Sequence, residues 1–451
     1  MEHFTRKVSE RNTIQAKTHK SSTNHPEYNT LDRKVSGGEG WGAPPEHYNQ
    51  LMDRIYLDAN ATTPLLPEVV DAMRPFWIEA FGNPSSAHQP GQRTRSAVEH
   101  ARASVARLLH CSPKEIVFTS GGTESDNLAL TGILQPFIDK RQPAHLITTE
   151  IEHHAVLYTA QALHRRGIDV TYLPPTTDGL IDPDAFRAAL RPQTELVSIM
   201  FANNETGAIQ PIGKLARIAR AYNPSIRFHT DAVQAAAKLP LDLGGPGISL
   251  GGPDLSGALK NVDLLSLSGH KMYAPQGTGI LFIRNGIHVA PLFHGGPHER
   301  QRRAGTENVP GIVALGRASE LALAWLGSDA PQQLAVLRDR LEQGLVAAIP
   351  GTHVNGSTAH RSPNTTNLRF DGVDAEALLI ALDMQGIAAS FGAACQSGAT
   401  EPSHVLLAMG LTPAHARSSL RLSLSRLTTT DEIDRTLTLI PAAVSRLRSL
   451  A

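Results

Sequence analysis

The chain has 451 residues, 41% of them hydrophobic, which is enough for two or three domains at about 150 residues each and for a sizeable core. Forty-two Lys plus Arg stand against forty-two Asp plus Glu, so no overall field draws it to nucleic acid or to an anionic membrane surface. Two cysteines, Cys111 and Cys395, exclude a disulfide framework and a cysteine zinc site, and the twenty histidines show no metal-ligand spacing. No apolar run approaches the ~18 to 20 residues that span a bilayer, and there is no signal-peptide core. A soluble, cytoplasmic protein with no metal, no membrane partner and no direct nucleic-acid partner is expected.

Residues 1–53 are polar, lack apolar periodicity and pass through Ser36-Gly37-Gly38 and Pro44-Pro45. That composition cannot offset chain entropy by burial, so a disordered tail is expected. Two other readings are a true start at Met52 and a transit peptide, the latter opposed by Glu2, Glu10 and Glu27. Ordered sequence begins at Ile55-Tyr56-Leu57. From Pro64 onward, strand-like runs alternate with helical patterns: Glu115 to Thr119, His145 to Thr148, Val170 to Leu173, Leu196 to Phe201, Arg227 to Thr230, Leu264 to Leu267 and Gly279 to Ile283. The alternation predicts an α/β fold, a mainly parallel sheet covered on both faces by helices. Gly244 to Gly257, with six glycines and two prolines, reads as a surface insertion. Thr306 to Trp325 predicts a connecting helix, and Gln332 to Ile349 a second one packing through Leu334, Leu337, Leu341 and Leu345. After Pro363 the pattern is strand, helix, loop, helix, a smaller α+β domain.

Chemistry concentrates at strand ends. Thr119-Ser120-Gly121-Gly122-Thr123-Glu124-Ser125 leaves a strand and opens a helix at Asn127 to Leu134, so it is either an anion cradle or an ordinary capped turn. Gly207 to Leu215 fails the spacing of a phosphate-binding Walker loop. Ser266-Leu267-Ser268-Gly269-His270-Lys271 sets a lysine beside small residues, a hydroxyl and an imidazole, where partial desolvation favours the deprotonated nucleophile. Alone, such a lysine reads as a solvated surface group, and Asp231 is what sets Lys271 apart. Asp231, at the end of another strand, with Gln234 one turn on, offers an acid for a pyridinium N–H and an amide for a phenolic oxygen. Lysine, acid and phosphate cradle together are the parts that pyridoxal 5'-phosphate requires.

With Glu152-His153-His154-Ala155-Val156, Asn203-Asn204-Glu205-Thr206-Gly207 and Arg303-Ala304-Gly305-Thr306-Glu307-Asn308, these motifs resemble the cysteine desulfurases, in the class V aminotransferase-like branch of fold-type I pyridoxal-phosphate enzymes. The resemblance runs in order from about Tyr56 to the C-terminus. It implies a large cofactor-binding domain at 64–310 with a mainly parallel seven-stranded sheet between helices, the insertion 244–257 lying within it. A connecting helix and small C-terminal domain would follow at 311–451, joined by the segment 54–63.

By position, the resemblance implies that Lys271 is joined covalently to the cofactor, Asp231 pairs with the ring nitrogen, Gln234 meets the phenolic oxygen and His153 stacks on the ring. Gly122, Thr123, Ser268 and His270 would hold the phosphate, with Thr306 reaching in from the second subunit of a homodimer. Asn204 would lie beside cofactor and substrate, and Arg421 would bind the substrate carboxylate with a planar guanidinium. Cys395, in Phe391-Gly392-Ala393-Ala394-Cys395-Gln396-Ser397-Gly398, would be the thiol that collects sulfur from L-cysteine as a persulfide and passes it to an acceptor, an iron–sulfur scaffold or a tRNA-thiolation relay. Phe391 and Gln396 depart from the family's Ser-Ser-Gly-Ser-Ala-Cys-Thr-Ser pattern, and Gly295-Gly296-Pro297 stiffens a turn that is usually Gly-Gly-Gly. A selenocysteine lyase, another class V aminotransferase and a non-catalytic sulfur carrier are the alternatives. Cys111 reads as a buried packer.

Overall fold

The computed structural model describes residues 54–244, 259–392 and 401–450. The polar tail, nearly all of the Gly244 to Gly257 insertion and Cys395 lie outside the described residues. The chain begins with Ile55–Tyr56 (β1), and a seven-stranded sheet follows: Ile116–Thr119 (β2), His145–Thr149 (β3), Asp169–Leu173 (β4), Thr194–Ser198 (β5), Arg227–Asp231 (β6), Leu264–Ser268 (β7) and Gly279–Ile283 (β8). Its order is β2-β8-β7-β6-β5-β3-β4. Only β8 runs antiparallel to its neighbours, so the sheet is mixed and mostly parallel.

Both faces are covered, and successive residues divide between two cores. Ile280 and Phe282 of β8 pack with helices Gln89–Leu108 and Val309–Leu326 on one face, whereas Leu281 and Ile283 pack with Gly122–Asp139 and His154–His164 on the other. This is why the strands read as unbroken apolar runs. Helix Val309–Leu326 is long and apolar enough to cross a membrane by length and composition, contrary to the expectation that no run comes close. Half of it is buried, and Val309, Ile312, Leu315 and Ala322 place it in the first core, as a core helix.

A third core belongs to the C-terminal part. Thr352–Val354 (β9), Thr365–Phe370 (β10) and Ser419–Ser423 (β12) form an antiparallel sheet in the order β12-β10-β9, and β1 pairs in parallel with Ile387–Ala388 (β11). Leu334, Leu341 and Leu345 of helix Ala330–Ala348 are buried against it, while Leu337 is only partly covered. After β1 the chain stays on this sheet, since Ser423 N–H donates to the Leu57 carbonyl at 2.8 Å and Ala59 N–H to the Ser423 carbonyl at 3.0 Å. The next residue, Asn60, is thereby delivered to the ends of β6 and β7.

Two boundaries differ from expectation for physical reasons. The helix expected at Asn127 to Leu134 starts at Gly122 and runs to Asp139, because the small-residue turn is itself the helix start. The strand expected to reach Phe201 ends at Ser198. Beyond it, Phe201 N–H still bonds to the Asp231 carbonyl at 2.7 Å, but on the other side Met200 N–H meets the buried Glu152 carboxyl at 2.8 Å where β3 has already ended. A side chain there replaces a neighbouring strand.

Candidate active site

In a parallel sheet, the loops after the strands gather at one edge, and ligands bind there. Here the ends of β2, β3, β5, β6 and β7 bring Gly122, Thr123, His153, Asn204, Asp231, Gln234, Ser268, His270 and Lys271 into one cleft of about 230 Å³, with Arg421 entering from β12. Ten of the twelve residues singled out in the sequence therefore line one cavity. Thr306 is exposed and does not line the cleft of its own chain, and Cys395 lies outside the described residues.

The cradle is shaped by what it omits. A Cβ on Gly122 would lie 2.8 Å from Val233 Cγ2, so the helix N-terminus approaches the loop after β6 only as glycine. Its first N–H groups have no partner within the helix, which suits an anion. Glu124 does not oppose this, because its carboxylate accepts from Ser120 N–H at 2.7 Å and from Arg303 Nε at 2.9 Å.

Lys271 Nζ donates to the backbone carbonyls of Asn60 at 2.5 Å and Ala61 at 2.7 Å. Asp231 is fully buried at the end of β6, and one oxygen accepts from Val233 N–H at 2.9 Å. Burial raises its carboxyl to about 6, a rise that the Val233 hydrogen bond and Lys271 hold down. Two further buried carboxyls lie close by, of which Asp126 lines the same cleft. Asp126 is pushed well up by burial and by Asp231, and its Oδ1 has no hydrogen-bond partner. Burial takes Glu152 to about 8. His229, held between the Ser198 and Ser266 hydroxyls at 2.9 and 3.0 Å, is driven to about 3 by burial and is neutral.

His153 caps helix His154–His164, its Nδ1 accepting from Ala155 N–H at 3.1 Å. Burial first, then Lys271, lowers it to about 4, leaving an uncharged ring suited to stacking. His270 is likewise lowered to about 4 by burial and by Lys271 and Lys238. Arg421 is 1% exposed; Nη1 donates to the Asn204 carbonyl at 3.0 Å and Nη2 to Asp58 Oδ1 at 2.7 Å, while Nε has no partner. By contrast, burial pushes the Cys111 thiol up, so it stays protonated in the core.

Sequence reasoning missed Asn60, Lys238 and Asp126. Asn60 accepts on its backbone carbonyl from Gln234 Nε2 at 2.9 Å as well as from Lys271, and its side chain donates to the Asn204 carbonyl at 3.1 Å. The available signal was the small polar run Asp58-Ala59-Asn60-Ala61-Thr62-Thr63 directly after an apolar strand. A second cavity, about 760 Å³, is lined by Glu205, Ser390, Phe391, Gly392, Ser403 and His404, which include residues on both sides of the stretch that contains Cys395. Among the described residues, no group of three or more His, Cys, Asp or Glu side chains is placed to hold a metal ion.

The cleft fits pyridoxal phosphate: an amine, a buried acid, a neutral ring and a bare helix start converge in it. The class-V aminotransferase family model matches residues 55–436. A cysteine desulfurase IscS of Methanosarcina thermophila is 47% identical over 397 residues, 88% of this chain and 93% of that one. A solved NifS-like protein superposes with a TM-score of 0.79 at 38% identity, covering 87% of this chain and all of that one. A structure of SspA in complex with cysteine gives 0.70 at 35% identity, over 83% and 100%. With an amine, a buried acid and a bare helix start in one cleft, and with these relatives along most of its length, the chain belongs to the class-V aminotransferases, among the cysteine desulfurases.

Proposed function

We propose that the chain is a pyridoxal-phosphate-dependent cysteine desulfurase. It takes sulfur from L-cysteine, leaves L-alanine and holds the sulfur as a persulfide on Cys395 for an acceptor protein, an iron–sulfur scaffold or a tRNA-thiolation relay. The observation that carries this reading is the convergence of Lys271, Asp231 and Arg421 in one cleft. Bound cofactor supplies an electron sink for the substrate's Cα and Cβ.

The chain's own residues do the rest. Gly122, Thr123, Ser268 and His270 hold the phosphate, His153 covers the ring, and Asp231 keeps the ring nitrogen protonated. Gln234 meets the phenolic oxygen. Arg421 and Asn204 fix the substrate by its carboxylate, which sets the reacting bonds in place. The Lys271 amine, when free of the cofactor, would move the proton at the substrate Cα. The Cys395 thiolate attacks the substrate sulfur: an S–S bond forms, the Cβ–S bond breaks, and its electron pair stays with carbon, which takes a proton to become alanine. Thr306 completes the phosphate site of the other subunit in a cytoplasmic homodimer.

Persulfide-trapping mass spectrometry after incubation with L-cysteine tests substrate, residue and reaction together. One added sulfur on the Cys395 peptide is expected. Cys395→Ser should keep the yellow cofactor band and lose sulfur release, and undiminished turnover in that variant removes Cys395 from the reaction.

A further inference from the structure

Behind the cleft lies a second lysine that the reaction above does not use. Lys238 is 7% exposed, and its Nζ donates to Gln234 Oε1 at 2.8 Å and to Asn60 Oδ1 at 3.2 Å. An amine there costs desolvation, and burial, with the cations Lys271 and Arg421, holds it well below its ordinary value. Such a group persists where its hydrogen bonds are needed.

We propose that Lys238 is a positioning residue that locks the Gln234 carboxamide with its nitrogen toward the cleft. The orientation follows from groups that can play only one role. The Asn204 backbone carbonyl can only accept, so the atom of Asn60 that faces it is nitrogen, and Asn60 Oδ1 is left to accept from Lys238 and from Asn364 Nδ2 at 3.1 Å. The Asn60 carbonyl can only accept, so the atom of Gln234 that faces it is also nitrogen, and Gln234 Oε1 is left to Lys238. One N–H of Gln234 is thereby used on Asn60, and the second remains for the cleft that Gln234 lines. Turning the amide over would set oxygen against the Asn60 carbonyl and N–H against the Lys238 amine. The first contact is repulsive, and the second takes from the Lys238 N–H its acceptor on Gln234, so the lock acts from two sides.

The inference rests on the cofactor reading, in which that N–H meets the phenolic oxygen. A donor there favours the form of the cofactor with most negative charge on that oxygen, the form populated at higher pH. Without Lys238, Gln234 Oε1 is buried without a donor, and the amide turns to find one. The visible band of the holoenzyme, titrated from pH 5 to 10, reads this directly. Lys238→Met should raise the midpoint of the band's pH transition by about one pH unit, the scale of one hydrogen bond to a charged oxygen. Lys238→Arg, which keeps a donor, should restore most of it.

Loss of a nearby positive charge would shift the midpoint in the same direction, and a double-mutant cycle separates the two causes. In a Gln234→Ala background the Lys238→Met shift should vanish; a shift that persists there assigns Lys238 a charge effect and overturns the lock. Gln234→Ala by itself should raise the midpoint, and a flat response in that variant overturns the proposal even where Lys238→Met does not fold. A wild-type protein that shows no visible band with added pyridoxal phosphate defeats the cofactor reading instead.

Discussion

Replacing Arg421 by lysine tests substrate recognition at a residue whose surroundings set the size of the effect. The guanidinium is almost wholly buried, and two of its N–H groups are spent on the Asn204 carbonyl and on Asp58 Oδ1. A lysine keeps a positive charge for Asp58, so the fold is retained, whereas alanine would strand that carboxylate, and breaking such a pair costs about 3–5 kcal/mol. What lysine cannot keep is the planar fork. One charge-assisted hydrogen bond to the substrate carboxylate is lost, worth about 1.5–3 kcal/mol, or about 10-fold to 150-fold in kcat/KM. The carboxylate carries the same charge throughout the reaction, so the loss should fall on KM with kcat little changed. Steady-state alanine release from L-cysteine measures this, and cysteamine, which lacks the carboxylate, is the control: its affinity for the holoenzyme, read from the visible band, should be the same in both proteins. An unchanged KM, or an equal loss of affinity for both amines, refutes the assignment.

Two further outcomes are expected. Gly122→Ala would place a Cβ 2.8 Å from Val233 Cγ2, and the resulting shift of the cradle should weaken pyridoxal phosphate binding by about 10-fold to 100-fold, measured by titrating stripped protein, with little change in the urea midpoint. Glu152 has a native value raised to about 8 against an unfolded one of 4.5, so the unfolded chain ionises first and the contribution of Glu152 to stability falls as pH rises from 4.5 to 8. Glu152→Gln removes that dependence and should gain on the wild type by up to about 4 kcal/mol between pH 5 and pH 8 in urea unfolding, and a difference independent of pH refutes the reasoning.

The strand-end residues were legible because strand, turn and reactive side chain are contiguous: Ser268 closes β7, His270 and Lys271 follow it directly, and Asp231 closes β6. Apolar runs in the sequence marked the sheet for the same local reason. Asn60 was not legible, since its role depends on β1 pairing with β11, more than three hundred positions away, and on contacts with Gln234 and Lys271 from two other strand ends. Nor was the early end of β5, which is decided by a Glu152 side chain replacing a strand. Arg421 was marked by the family resemblance and not by its local sequence, because what brings it to the cleft is β12 lying beside the Asn60 turn.

The buried carboxyls explain why Asp231, of three acids close together, is the one suited to hold a charge. Asp126, Glu152 and Asp231 are each fully buried; the charge of Asp231 raises both of the others and that of Glu152 raises Asp126, so the set resists carrying more than one negative charge. Asp231 alone has Lys271 among the influences that lower it, together with the Val233 N–H, and it stands at about 6 where Glu152 stands at about 8. His229, neutral between two serine hydroxyls, supplies no competing cation behind the cluster. The first proton to leave therefore comes from Asp231, which lines the cleft, and a cationic ring nitrogen placed there would draw the charge to Asp231 further while its two neighbours remain neutral acids.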